Sequence, residues 1–355
     1  MASALTINGR FLTQSASGVQ RYASQIVRGL DTLAAAGTSR RPIVLAVPPG
    51  KIAAPALASI PVRAVGTRGG YYWEQIQLPA AAPGPLLNLC NLGPVSRTNQ
   101  VLCIHDANIF TDPGSYSRAF GLAYRLLQPL LVRRAARVAT VSSFSARMLA
   151  KYLPVRAEDI AVLPNGHEHV REWDPSRSRI LEGRRDRPFI LLLGSKAKHK
   201  NADLIMGLAD ALDSLGLDIY VAGGGGHVFA ASEQRDRSNV VRLGFVTDDD
   251  LAALLGRALC LAFPSWNEGF GLPILEAMAL GCPVISSNRA SMPEVGGQAA
   301  AYASPDAPAD WLLKISELRV SPTRREEMAG LGREQAKRFS WLRSAAGYLD
   351  IVRRL

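Results

Sequence analysis

Short, continuous apolar runs alternate with amphipathic segments along almost the whole 355-residue chain. Runs such as "RPIVLAVPP" (41–49) and "PFILLLGS" (188–195) have the length of strands and lack the polar alternation of a half-exposed sheet. This pattern is typical of parallel strands that are covered on both faces. Between them, segments such as "GVQRYASQIVRGLDTL" (18–33) repeat apolar residues at helical spacing. The alternation predicts an α/β fold with parallel sheets.

The alternation is interrupted by a polar, turn-rich stretch at residues 164–188, where we place an interdomain linker. A chain of 355 residues is about right for two α/β domains. We therefore predict two doubly wound, Rossmann-like domains, residues 1–170 and residues 171–339, facing a central cleft. In such domains ligands bind at the carboxyl ends of the strands, so the cleft is the expected active site.

Charge is distributed unevenly over these two parts of the chain. Residues 1–170 carry 17 lysines and arginines against 7 acidic residues, whereas residues 171–355 carry 24 against 23. The basic part favours an anionic partner such as a lipid surface or a phosphate-bearing substrate. The chain shows no secretory signal and no apolar run of the roughly 18 residues that span a bilayer. Its four cysteines lack metal-ligand spacing and lie in apolar runs, which is typical of reduced core cysteines in a cytoplasmic protein.

The stretch "NEGFGLPILEAMALGCPVI" places two glutamates, Glu268 and Glu276, eight positions apart. Glu268 follows the buried strand "LCLAFPS" and should lie in a loop at its carboxyl end. Glu276 falls in the apolar helix predicted over 272–280, and we expect it in the first turn. Gly269 and Gly271 would let backbone N–H groups approach a ligand, and a helix N-terminus favours anions. The stretch predicts a site for a ligand that carries both hydroxyls and phosphates.

This stretch resembles the E-x7-E motif of the retaining family 4 glycosyltransferases, which have the GT-B fold. The resemblance covers most of the chain and includes the segments "SGVQRY" (17–22), "IHD" (104–106), "AVLPNG" (161–166), "LLLGSKAKHKN" (191–201), "RLGFVTDDDLAAL" (242–254), "PEV" (293–295) and "RFSW" (338–341). It implies a GT-B fold in which residues 1–170 bind the acceptor and residues 171–339 bind a nucleotide sugar. It also implies that the last helix, 340–355, returns to the N-terminal domain.

Carried over residue by residue, the resemblance implies three catalytic residues, His105, Lys200 and Glu268. Lys200 would neutralise the departing diphosphate, Glu268 would hold the hydroxyls of the donor sugar, and His105 would lie near that sugar. The donor-binding residues would be Gly18, Ser195, Lys200, Phe245, Val246, Glu268, Gly269, Phe270, Gly271, Leu272 and Glu276, the last of them on the ribose. Ser195 stands where many relatives have an arginine, and Lys196 or Lys198 could replace that cation.

Neither a metal nor a cofactor is expected. Asp248, Asp249 and Asp250 look like a metal-binding cluster, but they follow Thr247 at the start of a predicted helix. Thr247 with acidic residues in the first turn is typical of an N-terminal cap.

Several of these residues also have structural interpretations. His105 could be a strand-end histidine bonded to backbone, and Lys200 a solvated lysine on a basic loop. Gly18 could form a turn before a helix, and the glycine run 223–226 could be a plain turn rather than a phosphate cradle.

The resemblance implies a metal-independent, retaining hexosyltransferase, with GDP-mannose as the first donor to consider and a lipid-linked or polysaccharide acceptor in surface glycan synthesis. Arginines within residues 118–156, including those of a helix that we expect to kink or break at Pro129, favour peripheral association with an anionic membrane on its inner face. The alternatives are a nucleotide-sugar epimerase or phosphorylase of the same fold and a basic nucleic-acid-binding protein. No nucleic-acid motif is evident, so nucleic acid is not an expected partner.

Overall fold

The computed structural model describes residues 3–15, 17–53, 55–115, 117–194, 197–223 and 237–355. The chain forms two compact units. The first unit comprises residues 1–166 together with 340–355, and the second unit comprises residues 167–339.

Each unit is built on one parallel sheet. In the first unit the strands are β1 (Leu5–Asn8), β2 (Ile43–Val47), β3 (Val62–Ala64), β4 (Leu86–Asn88), β5 (Gln100–Cys103), β6 (Arg137–Thr140) and β7 (Ile160–Val162). In the second unit they are β8 (Phe189–Leu193), β9 (Asp218–Ala222), β10 (Val240–Gly244), β11 (Cys260–Phe263), β12 (Val284–Ser287) and β13 (Ala301–Ala303). The orders across the sheets are β3-β2-β1-β4-β5-β6-β7 and β10-β9-β8-β11-β12-β13.

The helices, within the described ranges, are α1 (Gly18–Ala35), α2 (Gly70–Tyr72), α3 (Leu78–Ala81), α4 (Asn108–Thr111), α5 (Arg118–Arg134), α6 (Ser143–Tyr152), α7 (Ala202–Gly207), α8 (Ala209–Ser214), α9 (Asp248–Arg257), α10 (Leu272–Ala279), α11 (Met292–Gly296), α12 (Pro308–Val320), α13 (Pro322–Ala336) and α14 (Trp341–Arg353). A π-helical turn, Trp73–Gln77, joins α2 to α3. Short 3₁₀ turns occupy Gly9–Thr13, Pro113–Ser115, Ala157–Asp159, Glu168–Glu172, Pro175–Arg177 and Lys198–Lys200.

The predicted α/β fold class is confirmed in both units, and each sheet has a switch point. The strand order reverses between β1 and β4 in the first unit and between β8 and β11 in the second. Loops that leave two such strands diverge to opposite faces of the sheet, so a crevice forms at their carboxyl ends. Each unit therefore has one position where its topology favours ligand binding.

Local sequence signals set the helix ends. Thr247 and Asp250 form a reciprocal capping box at the start of α9, which confirms that the three aspartates begin a helix. Gly281 follows α10 with a φ of 78°, a left-handed conformation that glycine adopts without strain. Of the kink or break expected at Pro129, the break was wrong: α5 continues through it to Arg134. Pro129 is half-buried, and solvent or neighbouring groups can accommodate the backbone hydrogen bond that its nitrogen cannot donate.

Tyr22 of α1 joins three parts of the first unit. Its ring lies edge-on to the rings of His105 and Trp341, with centroids 4.8 and 5.7 Å away. Its hydroxyl is 2.9 Å from both the Tyr348 hydroxyl and the carbonyl oxygen of Leu163. This buried cluster attaches the C-terminal helix α14 to α1 and to the segments that follow β5 and β7.

The buried ring of His105 should make folding of the first unit depend on pH. Burial lowers the pKa of His105 from 6.5 to about 4, so the folded state resists a proton that the unfolded state accepts. The contribution of His105 to the unfolding free energy should therefore fall by about 1.4 kcal/mol per pH unit as the pH decreases from 6.5 towards 4. Measured by urea denaturation across this pH range, the unfolding free energy of His105→Gln should change less steeply with pH than that of the wild type. An identical slope in both proteins would contradict this assignment.

Close packing of α1 against α14 depends on Gly29. A Cβ atom there would lie 2.8 Å from the Cβ atom of Ala345, which is too close for two carbon atoms. We expect Gly29→Ala to lower the unfolding free energy by about 1–3 kcal/mol, measured by urea denaturation. The matched control is Gly121→Ala in α5, where an added Cβ meets no atom within 4 Å. That change should leave stability unaltered or raise it by about 0.5–1 kcal/mol, and equal effects of both would contradict the packing argument.

Candidate functional site

Two predicted site residues meet at the switch point of the second unit. Lys200 lies after β8 and Glu268 lies after the adjacent strand β11. The Lys200 Nζ atom is 2.6 Å from Glu268 Oε1, and the two side chains are 25% and 13% exposed. The ammonium also lies 5.4 Å from the centroid of the Phe263 ring. The alternative of a solvated lysine on a loop is therefore not what the structure shows, because Lys200 is held by a partly buried carboxylate.

Backbone and side-chain hydrogen bonds fix the loops that carry this pair. The Trp266 N–H donates to the carbonyl of His199 at 2.7 Å, which ties one loop to the other. Asn201, with a φ of 52°, places its side-chain amide 3.3 Å from the carbonyl of Pro264 and 3.1 Å from that of Pro305. Asparagine tolerates this left-handed conformation better than most residues. The site is thus built on loops with defined geometry.

The segment 269–272 leads directly into α10. Gly271 is buried and has a φ of 98°, and an added Cβ would lie 3.2 Å from Ile274 Cδ1. Phe270 is buried edge-on against Phe339, with ring centroids 5.6 Å apart. Leu272 is the first residue of the helix, and Pro273 in its first turn needs no hydrogen bond from its nitrogen. Gly271 is therefore required for conformation, and Gly269 lies half-buried beside it.

The Ser291 hydroxyl holds this loop from the other side. Its Oγ atom lies 2.8 Å from the carbonyl oxygens of both Glu268 and Phe270. Ser291 is fully buried immediately before α11. It was not predicted as a site residue, because it is 23 positions from Glu268 and a single serine carries no distinctive sequence signal.

Glu276 is buried as the apolar sequence around it suggests, but it lies one turn later than expected. The helix α10 starts at Leu272, so Glu276 is its fifth residue and belongs to the second turn. The side chain is only 4% exposed, and its Oε1 atom is 2.9 Å from Nε2 of His169. The His169 ring in turn lies edge-on to Trp173 at 5.4 Å. The carboxylate is thus fixed by a buried histidine.

His169 is the most informative residue that the sequence did not reveal. It follows Gly166 by three positions in the 3₁₀ turn Glu168–Glu172, and 107 positions separate it from Glu276. Nearby, His167 donates through Nδ1 to the carbonyl oxygen of Phe339 at 2.7 Å. The only signal available was the departure from the family pattern after "PNG".

Of the remaining residues predicted for the donor site, the structure describes some and not others. Phe245 and Val246 follow the edge strand β10, and Phe245 is 85% exposed. Ser195 and Lys196 lie outside the described residues, as do glycines 224–226, whereas Lys198 is exposed in the 3₁₀ turn beside Lys200.

Gly18 and His105 belong to the first unit. Gly18 is the exposed first residue of α1, where Ser17 caps the helix, and an added Cβ would meet no atom within 4 Å. His105 is buried, with Nε2 2.8 Å from the carbonyl oxygen of Leu89. His105 is therefore a buried histidine after a strand, bonded to the backbone, as the structural interpretation of this residue expected.

The positions of the acidic, histidine and cysteine side chains bear on whether the protein could bind a metal ion. Among the residues that the structure describes, no three His, Cys, Asp or Glu side chains cluster as a metal site would require. The four cysteines are free, with Cys90 half-buried and the other three buried. Asp249 and Asp250 are engaged locally, since they accept from the Asp174 N–H at 2.8 Å and from the Ser178 hydroxyl, respectively.

Comparison with known proteins shows what this chain is similar to. The profile of the family described as "Glycosyl transferases group 1" matches residues 187–319, which include Lys200, Glu268 and Glu276. The O-antigen chain mannosyltransferase B of Escherichia coli is 43% identical over 110 residues, covering 31% of this chain and 29% of that protein. The O-antigen chain mannosyltransferase RfbU of Salmonella typhimurium is 29% identical over 229 residues, covering 63% of this chain and 62% of that protein. The chain thus spans less than two thirds of each of these relatives.

Solved structures show the fold over the full chain. The Anabaena protein Alr3699/HepE, crystallised with UDP and glucose, superimposes with a TM-score of 0.70 at 16% identity and covers 100% of both chains. The predicted pair of Rossmann-like sheets is therefore that of a known two-domain architecture. The chain has the GT-B fold, and its residues 187–319 match the model of the glycosyl transferases group 1 family.

Proposed function

We propose that this protein is a retaining hexosyltransferase that transfers a sugar, mannose first, from a nucleotide sugar to a lipid-linked or polysaccharide acceptor in surface glycan synthesis. The observation that carries this proposal is the Lys200–Glu268 pair at the switch point of the second unit. An ammonium suits a diphosphate, and a carboxylate suits sugar hydroxyls. The mannosyltransferases among the relatives favour mannose, and hence GDP-mannose, as the first donor to test.

In the proposed reaction, the bond between the anomeric carbon and the diphosphate oxygen breaks. A hydroxyl of the acceptor forms a new bond to the same face of that carbon, and its proton passes to the departing phosphate. Negative charge grows on the diphosphate, so Lys200 and the N-terminus of α10 stabilise the transition state. Because this charge is met by a lysine and backbone N–H groups, the proposed reaction requires no metal ion.

Glu276 would bind the ribose of the nucleotide. Its carboxylate is held by His169 at 2.9 Å, which fixes its direction before any ligand arrives. A fixed acceptor loses little side-chain entropy on binding a diol. Phe245, exposed after β10, offers an aromatic surface beside the backbone that we assign to the base.

The first unit would bind the acceptor and would also contact an anionic membrane. Leu122, Leu126 and Leu130 of α5 are 61%, 61% and 46% exposed and, at intervals of four residues, lie on one stripe. The same helix has exposed arginines and no acidic residue. An apolar stripe bordered by cations is suited to the interface of an anionic bilayer. Within the described residues, no helix has the combined length and apolarity needed to cross a membrane.

The donor assignment predicts that one nucleotide family stabilises the protein through Glu276. In a panel of GDP-, UDP-, dTDP- and ADP-sugars, one nucleotide family should raise the unfolding temperature of the wild type, and we expect it to be the GDP-sugars, with GDP-mannose the strongest. At about 100 times its Kd a ligand adds about 2.7 kcal/mol of stability. Glu276→Gln should raise the Kd at least about tenfold, because hydrogen bonds to a charged group are worth about 1.5–3 kcal/mol.

The control for this experiment is Glu317→Gln, an exposed glutamate on α12 in the same unit. It should bind the nucleotide sugar like the wild type. Equal affinity in Glu276→Gln would exclude the ribose role, and a panel without any stabilising nucleotide would exclude the proposed transferase.

The membrane assignment predicts flotation with anionic vesicles but not with neutral ones. Replacing Leu122, Leu126 and Leu130 by serine should lower partitioning by about three orders of magnitude or more, because burial of each leucine in the bilayer contributes about 1.5–3 kcal/mol. Liposome flotation measures this directly. The control is Leu313→Ser, which alters a leucine that is 58% exposed on α12 of the second unit. A wild type that floats with neither vesicle, or a triple variant that floats fully, would refute the assignment.

A further inference from the structure

The switch point of the first unit contains a second buried glutamate, Glu74, in the π-helical turn between α2 and α3. Glu74 is 2% exposed. Its Oε1 atom accepts from Asn8 Nδ2 at 2.9 Å and lies 3.1 Å from Arg10 Nε. Its Oε2 atom is buried and receives no hydrogen bond from any described residue. A buried carboxylate oxygen without a donor is rare in folded proteins and points to a missing partner.

The position of Glu74 matches the place where the topology favours a ligand. Asn8 is the last residue of β1 and Asn88 is the last residue of β4, the two strands between which the order reverses. Asn8 Nδ2 lies 2.9 Å from Asn88 Oδ1, and Asn88 Nδ2 donates to Gln100 Oε1 at 2.8 Å. This buried amide chain fixes Asn8, and through it Glu74, at the carboxyl ends of the strands.

The neighbouring residues of the turn already have structural partners. Trp73 Nε1 donates to the carbonyl of Val65 at 2.7 Å. Gln75 donates to the carbonyl of Gly93 and accepts from the Val95 N–H, at 2.9 and 3.0 Å. These contacts anchor the turn to the rest of the unit. Turns of the π type recur at functional sites, where they direct one side chain out of helical register.

An aromatic surface lies beside the carboxylate. The guanidinium carbon of Arg10 lies 4.5 Å from the centroid of the Tyr71 ring, while Arg10 is itself paired with Glu74. Tyr71 nevertheless remains 49% exposed. Tyr124 of α5 lies beside the same residues. Its burial and the neighbouring Tyr71 raise the pKa of its phenol. Because the positive charge of Arg10 offsets the negative charge of Glu74, these residues together are nearly neutral and are poorly suited to binding a simple anion.

We infer that Arg10, Tyr71 and Glu74 form a carbohydrate-binding site, in which a sugar hydroxyl donates to Glu74 Oε2 and the apolar face of the ring packs on Tyr71. A hydroxyl supplies the donor that Oε2 lacks, and C–H groups of a hexopyranose suit an aromatic face. Because this oxygen is buried, binding would require the half-exposed Tyr71 to move aside. The inference deepens the proposed function, because the sugar bound here would be the acceptor.

Two adjacent tyrosines provide a matched test. Tyr72 is 48% exposed, like Tyr71, but its ring lies beside Arg68, 5.2 Å away, rather than beside Arg10. Saturation-transfer difference NMR of the full chain, with methyl glycosides of mannose, glucose, galactose and rhamnose as probes, should detect binding of at least one. Tyr71→Ala should weaken that binding at least about fivefold and Glu74→Gln at least about tenfold. Tyr72→Ala should change it less than about twofold.

Nucleotide binding in the same variants separates this inference from the proposed function. The thermal shift with nucleotide sugars should be unchanged in Tyr71→Ala and Glu74→Gln, because the proposed donor site lies in the second unit. If no methyl glycoside binds the wild type, or if Tyr71→Ala and Tyr72→Ala behave alike, the carbohydrate site is wrong even when nucleotides bind normally. If the glycoside results are as expected but no nucleotide sugar binds, the carbohydrate site is supported and the transferase is not.

Discussion

A carboxylate can be buried only where hydrogen bonds or opposite charge replace the water that it loses, and this constraint shapes the polar interior of both units. In the second unit, Glu276 is held by His169 within an otherwise apolar helix. In the first unit, Glu74 is held by Asn8 and Arg10. Neither glutamate contributes to an apolar core as an aliphatic residue would, and removing its partner would leave an uncompensated charge. We therefore attribute their presence to the ligand binding proposed above rather than to stability.

Parallel-sheet topology explains how such distant residues meet. Lys200 and Glu268 are 68 positions apart, yet they follow strands that are direct neighbours. The carboxyl ends of parallel strands lie at one edge of the sheet, so loops that start there converge whatever their separation in sequence. The same rule places Asn8 beside Asn88 across 80 positions in the first unit. Each sheet thus assembles one polar group at its own switch point, with the rest of its strands providing a rigid apolar support.

The extent to which these features could be predicted follows from the range of the interactions involved. Strands and helices depend on local periodicity, so the α/β class, the Thr247 cap and the burial of Glu276 were predictable. That Lys200 and Glu268 belong to one site was implied only by the resemblance, and their direct contact was not predicted. The His169 contact depends on a 3₁₀ turn whose path no local pattern specifies. For Glu74, a charged residue within the aromatic segment "YYWEQ" was the available signal, but its unsatisfied oxygen is a property of three-dimensional packing alone.

The Lys200–Glu268 pair also restricts which ligands the second unit can accept. An anion that binds Lys200 alone would compete for the ammonium with Glu268, whose side chain is only 13% exposed. A neutral sugar that binds Glu268 alone would leave the ammonium unpaired in the same way. Leaving either charge unsatisfied costs more than a typical hydrogen bond contributes. A ligand with an anionic group and hydroxyls on adjacent atoms satisfies both at once, as a sugar diphosphate does. If the proposed function holds, a free nucleotide or a free sugar would therefore bind less well than the intact nucleotide sugar, because each leaves one charge of the pair unmet.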